Sequence, residues 1–141
     1  MELRGRKSEF RKVTDDLSVA PQITLSDVAR AAAEGYRLVV NNRPDGEEPG
    51  QPTSAEFEAA AKEAGLDYVF APLVGRPSAD VAGRVRDAIE ANGGKALLFC
   101  RSGTRSINAW ALGEAMAGNR SRDELMRLGL DAGYDLSGTL S

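Results

Sequence analysis

From residue 17 to residue 133, short and solidly apolar runs alternate with longer stretches in which apolar positions recur every three or four residues. The run "LSVA" (17–20) is followed by "PQITLSDVARAAAEG", where Thr24 and Asp27 have the spacing of a capping box and Val28, Ala31 and Ala32 recur at helical spacing. "YRLVVNN" (36–42) is apolar and β-branched, the pattern of a buried strand. The Pro- and Gly-dense "RPDGEEPGQPT" then reads as a loop. Ser54 is expected to cap "AEFEAAAKEAG", with Gly65 stopping it. "DYVFAPLV" (67–74) predicts another strand, "GRPSAD" a turn, and "VAGRVRDAIEANGG" a helix with Val81, Val85 and Ile89 on one face. "KALLFC" (95–100) predicts a further strand and "RSINAWALGEAMAG" a helix, which Asn119 and Ser121 separate from "RDELMRLGLDAG". The tail "YDLSGTLS" carries little pattern.

This alternation predicts an α/β fold with an open, mainly parallel central sheet flanked by helices. A length of 141 residues suits a single domain with one real hydrophobic core. No internal repeat or dividing linker interrupts it. The domain is expected to span 17–141, preceded by a polar N-terminal arm over 1–16 that is poorly ordered in part. Arg4, Arg6, Lys7, Arg11 and Lys12 make that arm basic, as solvated chain. A net charge of −3 argues against a nucleic-acid footprint. No apolar run approaches membrane-spanning length and no signal-peptide apolar segment opens the chain, so a soluble, cytoplasmic protein is the expectation.

Two counts narrow the chemistry. The chain has no histidine, which removes His-liganded metals and any Cys–His or Ser–His–Asp arrangement. Neither a metal nor a cofactor is expected. It has one cysteine, so no intramolecular disulfide is possible. That cysteine, Cys100, closes the last apolar strand and opens "CRSGTRS".

In open sheets of this kind, ligands bind beyond the C-terminal ends of the strands, where Cys100 falls. Successive amides of a tight turn form an anion-binding concavity, and a following helix N-terminus adds about half a positive charge. Gly103 permits backbone angles that a side chain forbids, and Arg105 offers a planar fork to an oxyanion. The same surroundings can lower a thiol pKa from ~8.5 to roughly 3.5–7.5, giving a nucleophile without a histidine base. Arg101, Ser102, Thr104 and Ser106 complete the candidate cradle. Ser106 either donates to the thiolate or is an ordinary first-turn serine. A lone cysteine at a strand end is often an inert core residue; it is the neighbours that argue for chemistry. Trp110, with Ile107 and Ala111, reads as a core anchor, and Leu125, Leu128 and Leu130 as partly buried packing.

Taken together, "LSVAPQITLSDV", "VVNNRPDGEEPGQPTSAEFEAAAKEAGLDYVFAPL", "LLFCRSGTRSINAWAL" and "DAGYDL" resemble the phosphatase-like domain of the β-lactamase-hydrolase-like family, a relative of the dual-specificity and protein tyrosine phosphatases. The resemblance covers nearly the whole chain. It implies a protein-tyrosine-phosphatase-like fold, Cys100 as nucleophile on phosphorus and Arg105 as oxyanion clamp. Three departures stand out. Four residues rather than five separate the cysteine from the arginine. Phe99 stands where those enzymes usually have histidine. Gly75 stands where their general-acid aspartate is expected. Asp80 is then the nearest downstream acid, although it also suits a helix N-terminus. Asp45, Glu47 and Glu48 are alternatives that read otherwise as a solvated acidic turn, and Arg43 either pairs with them or helps bind an anionic substrate.

The loop alone is similar to the active loop of single-domain rhodaneses, which carry sulfane sulfur as a cysteine persulfide. Three functions therefore stand side by side. The first is a cysteine-dependent phosphatase acting on a phosphomonoester, a phosphoprotein among the options. The second is a sulfurtransferase using a Cys100 persulfide, and the third a non-catalytic oxyanion-binding module. The expected partner is in each case a small oxyanion or sulfane-sulfur compound, with neither nucleic acid nor membrane involved.

Overall fold

The structure, a computed structural model, describes residues 9–140. Five strands form one sheet: β1 (Arg11–Thr14), β2 (Leu17–Ala20), β3 (Tyr36–Asn41), β4 (Asp67–Phe70) and β5 (Lys95–Phe99). Their order is β1-β2-β5-β3-β4, parallel throughout except for the antiparallel β1–β2 pair. The helices α1 (Leu25–Ala33), α2 (Ser54–Ala64) and α3 (Ala79–Asn92) connect β2 to β3, β3 to β4 and β4 to β5. Then follow α4 (Thr104–Ala117), α5 (Arg122–Ala132) and the short α6 (Ser137–Leu140).

The period-2 geometry of the strands divides the core in two. On β5, Leu97 and Phe99 join Val39 against Val28, Ala31, Phe57 and Ala61 of α1 and α2. Ala96 and Leu98 point the other way, joining Leu38 and Val40 with Val85, Ile107, Ala111 and Leu125 of α3, α4 and α5. Both faces of the sheet are thus covered, which is why its central strands read as continuous apolar runs. Trp110 is buried in the second cluster, as is Leu125, and Leu128 packs at its edge; Leu130 instead lies exposed.

Several expectations are adjusted. The arm expected over 1–16 contains β1, whose Val13 alone is buried among polar neighbours, so the sheet begins before residue 17. Arg4, Arg6 and Lys7 lie outside the described residues. The cap of α2 is Thr53 rather than Ser54: its hydroxyl accepts from the Glu56 amide, and Glu56 returns the bond to the Thr53 amide. Gly65 ends α2 in the left-handed region. The β4 strand stops at Phe70, two residues before Pro72, although Ala71 and Leu73 still donate to Asn41 and Asn42 of the neighbouring chain segment. Ser78 caps α3, which therefore begins at Ala79 and includes Asp80 in its first turn. Among the described residues no helix is long and apolar enough to cross a membrane.

Candidate active site

The β5 strand fills the gap between β2 and β3, so its C-terminal end is walled by the segments that follow both neighbours. Cys100 sits there with no exposed surface, its amide bonded to the Ala20 carbonyl at 3.4 Å. Below it, Phe99 stacks against Phe57 at 4.9 Å between ring centroids. An apolar ring suits this dry floor, which accounts for the phenylalanine at the position before the cysteine.

From Cys100 the chain turns through Arg101, Ser102 and Gly103 into α4. The Gly103 amide points back at the Cys100 sulfur, N to Sγ 3.1 Å. Gly103 has φ of +92°, and a β-carbon there would lie 2.2 Å from the Tyr134 hydroxyl. Only glycine meets both conditions. Gly103 is also the N-cap of α4 and brings no side-chain cap, whereas α1, α2, α3 and α5 are capped by Thr24, Thr53, Ser78 and Ser121. The first-turn amides of α4 carry positive character; the Thr104 amide donates to the Ser102 hydroxyl at 3.4 Å, and the N-cap itself supplies no side-chain acceptor. Ser102 and Thr104 tie their hydroxyls to each other at 3.0 Å on the exposed rim. Arg101 is exposed, and its carbonyl accepts from the Gln22 amide at 3.1 Å.

Arg105 reaches back over the loop. Its Nη1 and Nη2 make a two-pronged bond to Glu47, 2.7 and 2.8 Å, and Nη1 also donates to the Leu73 carbonyl at 3.0 Å. Glu47, with the Cys100 sulfur adding to it, holds Arg105 all the more firmly protonated. Glu47 is in turn gripped from behind by Arg43, whose Nε donates to it at 2.8 Å. Arg43 is 1% exposed, and its other nitrogens bond Gln22 at 2.9 Å and Glu48 at 3.0 Å. Bonds from Arg105 first, and then Arg43, hold the Glu47 carboxyl at about 2, well below the usual carboxylate range.

These contacts sort the candidates. Cys100, Gly103 and Arg105 come together in one cradle. Of the two roles open to Arg43, the structure displays pairing with the acidic turn: its three guanidinium nitrogens bond Glu47, Gln22 and Glu48, so it orients Glu47. Ser106 is fully buried and donates to Asn42 Oδ1 at 2.8 Å, while Asn42 donates to the Ala71 carbonyl at 2.8 Å. Its hydroxyl proton is thus directed to Asn42 and away from the sulfur. Asp80 is exposed in the first turn of α3, and among the described residues no hydrogen bond joins it to the Cys100 loop. Asp45 is engaged elsewhere, accepting from the Ser54 amide at 2.8 Å.

Three contributors escape the sequence pattern. Gln22 and Asn42 follow strands as ordinary polar loop residues. Tyr134, in the patternless tail, donates its hydroxyl to the Ser102 carbonyl at 2.9 Å. Glu47 is visible as an acid four residues after Arg43, yet its partner Arg105 lies 58 residues away.

Comparison with known proteins places this geometry among relatives. The family described as "Beta-lactamase hydrolase-like protein, phosphatase-like domain" matches residues 9–117. A beta-lactamase hydrolase-like protein of Xylella fastidiosa is 40% identical over 126 residues, covering 88% of this chain and 29% of that protein. The chain thus spans less than a third of that relative's length. A proposed phosphatase from Neisseria meningitidis superposes with a TM-score of 0.79 at 27% identity, covering 93% of each chain. The active form of Tk-PTP superposes with a TM-score of 0.71 at 18% identity over 91% of this chain and 87% of its own, a likeness of fold alone.

Proposed function

Because the chain belongs to the family of phosphatase-like domains of beta-lactamase hydrolase-like proteins, we propose that it is a Cys100-dependent phosphatase-like enzyme acting on a small phosphomonoester. The observation that carries this reading is the cradle itself, a cysteine sulfur bonded by the Gly103 amide, with Arg105 in the first turn of the helix that follows. Cys100 attacks phosphorus, the bond to the ester oxygen breaks, and that oxygen leaves with the electron pair. The amides of the loop and of the first turn of α4, with Arg105, stabilise the charge on the transferring group. Water then attacks the phosphocysteine, releasing inorganic phosphate and the thiolate.

The state of the acids sets the substrate class. Glu47 is the acid at the clamp, and two arginines hold it as a carboxylate. It is a poor proton donor at neutral pH. Leaving groups stable as anions, such as aryl oxides, are therefore favoured over alkyl oxides.

One observation favours a second reading. The loop has four residues between Cys100 and Arg105, a turn suited to a group smaller than phosphoryl. In sulfur transfer, the Cys100 thiolate attacks the outer sulfur of thiosulfate, the S–S bond breaks, and sulfite leaves with the pair. No acid is needed, because sulfite departs as an anion. A thiol acceptor then attacks the terminal sulfur of the Cys100 persulfide and regenerates the thiolate.

One paired experiment separates the two. Purified protein and its Cys100→Ser variant are incubated with an aryl phosphate and with thiosulfate, and turnover and intact mass are followed. Cys100-dependent phosphate release supports the first reading. A sulfur adduct on Cys100 with a persulfide product supports the second. Anion binding without turnover of either donor removes both and leaves a binding module.

A further inference from the structure

We infer that Tyr134 is a positioning residue for the Cys100 loop, its hydroxyl fixing the peptide unit whose N–H is bonded to the Cys100 sulfur. The Ser102–Gly103 peptide has a partner at each end. Its carbonyl accepts from the Tyr134 hydroxyl at 2.9 Å, and its N–H donates to Sγ at 3.1 Å. The unit is trans and planar, so its carbonyl and N–H point in opposite directions. Holding the oxygen therefore aims the hydrogen. Gly103, with φ of +92° on the far side of that N–H, has a soft backbone that would otherwise let the unit rotate.

Tyr134 is itself firmly held. Gly133 ends α5 with φ of +98°, and the Tyr134 amide closes the turn onto the Gly129 carbonyl at 2.8 Å. Leu136, fully buried, anchors the chain just beyond. The ring is 8% exposed, and the Arg11 guanidinium of β1 lies 5.3 Å from its centroid. Burial above all, with the Cys100 sulfur adding to it against the opposing effect of Arg11, keeps the hydroxyl protonated. It stays a donor, the role the Ser102 carbonyl requires. The C-terminal turn after α5, outside the matched family span of 9–117, thus reaches the reactive atom through one peptide.

The inference rests on Cys100 being the reactive group of the proposed function, so its test reads the loop without requiring turnover. Tyr134→Phe keeps the ring and removes the donor. Tyr36→Phe is the matched control, since it also deletes one buried hydroxyl bond, that to Ser18 at 2.7 Å. With glycine-selective ¹⁵N labelling, Tyr134→Phe is expected to move the Gly103 amide proton upfield and to speed its hydrogen exchange by about tenfold. Iodoacetamide alkylation of Cys100 at neutral pH should slow by roughly 3- to 10-fold, the loss of about one hydrogen bond's net worth. Tyr36→Phe should leave both readouts unchanged. An unmoved Gly103 amide in Tyr134→Phe overturns the inference. So does an equal response in Tyr36→Phe, which would make the effect one of general stability. If the Gly103 amide responds while Cys100 is inert to alkylation in every variant, the positioning contact stands and the nucleophile assignment fails.

Discussion

Replacing Glu47 by glutamine tests the charge arrangement on which the proposed preference for leaving groups rests. Three guanidinium donors converge on this carboxylate: Nη1 and Nη2 of Arg105 and Nε of Arg43. Glutamine offers one acceptor oxygen and sets an NH₂ group where a second oxygen stood, so at least one donor loses its partner and another faces a like dipole. The drop of the Glu47 pKa from 4.5 to about 2 corresponds to at most roughly 3–4 kcal/mol at 1.36 kcal/mol per unit. Glu47 keeps 25% of its side chain exposed, and water screens such pairs, which reduces the figure to ~1–2 kcal/mol. For a chain of this length that is a fall in Tm of about 3–7 °C. The pH dependence follows from the sign of the shift. Unfolded Glu47 binds its proton near pH 4.5, whereas folded Glu47 resists until about 2. Its stabilisation is complete above pH 4.5 and is lost as pH falls through that window to about 2. Urea unfolding of the wild type and Glu47→Gln should therefore show a constant gap between pH 7 and pH 5, with roughly less than half of it left at pH 3. A gap that is absent at pH 7, or that stays level from pH 5 to pH 3, would refute a carboxylate held down by two arginines. Glu47 would then return to the set of available proton donors.

Three other substitutions probe the same cradle. Gly103→Ala places a β-carbon 2.2 Å from the Tyr134 hydroxyl at φ of +92°; it should lower stability by at least about 2 kcal/mol and Cys100-dependent turnover by more than tenfold, and a thermal melt within 1 °C of wild type would contradict the contact. Asn42→Ala strands the buried Ser106 hydroxyl and the Ala71 carbonyl at roughly 1–3 kcal/mol. The double variant Asn42→Ala with Ser106→Ala should recover part of that loss, and strict additivity in the cycle would dissolve the proposed chain of bonds. Phe99→Ala removes a fully buried ring from against Phe57 at ~3–5 kcal/mol, a cost read by denaturant unfolding; a loss below 1 kcal/mol would show that the floor of the loop is not packed as described.

The parts legible in the sequence are those whose encoding is local. The strands β2, β3 and β5 are covered on both faces, so each prints a mostly apolar run, interrupted by Ser18 in β2, by Arg37 and Asn41 in β3 and by Lys95 at the start of β5. The Cys100 loop lies within seven consecutive residues, so the spacing of its cysteine, glycine and arginine marks a candidate anion cradle while leaving phosphoryl and sulfur chemistry both open. The β1 strand is the opposite case: it is an edge strand with one buried side chain, Val13, in "RKVT", and its sequence resembles solvated chain. The asymmetry matters most at the acids. In the sequence Glu47 belongs to "RPDGEEPG", a turn that water would be expected to solvate. In the fold, the end of β3 and the start of α4 stand beside each other because β5 pairs with β3, and Arg105 meets Glu47 across 58 residues. Spacing cannot carry that information, because the partner is chosen by strand order rather than by distance along the chain. Yet the pairing decides the protonation of the acid, and the proposed preference for leaving groups stable as anions rests on that protonation. On the proposed reading, the nucleophile is thus written in one short segment, while the leaving groups it favours depend on an acid whose partner is 58 residues away.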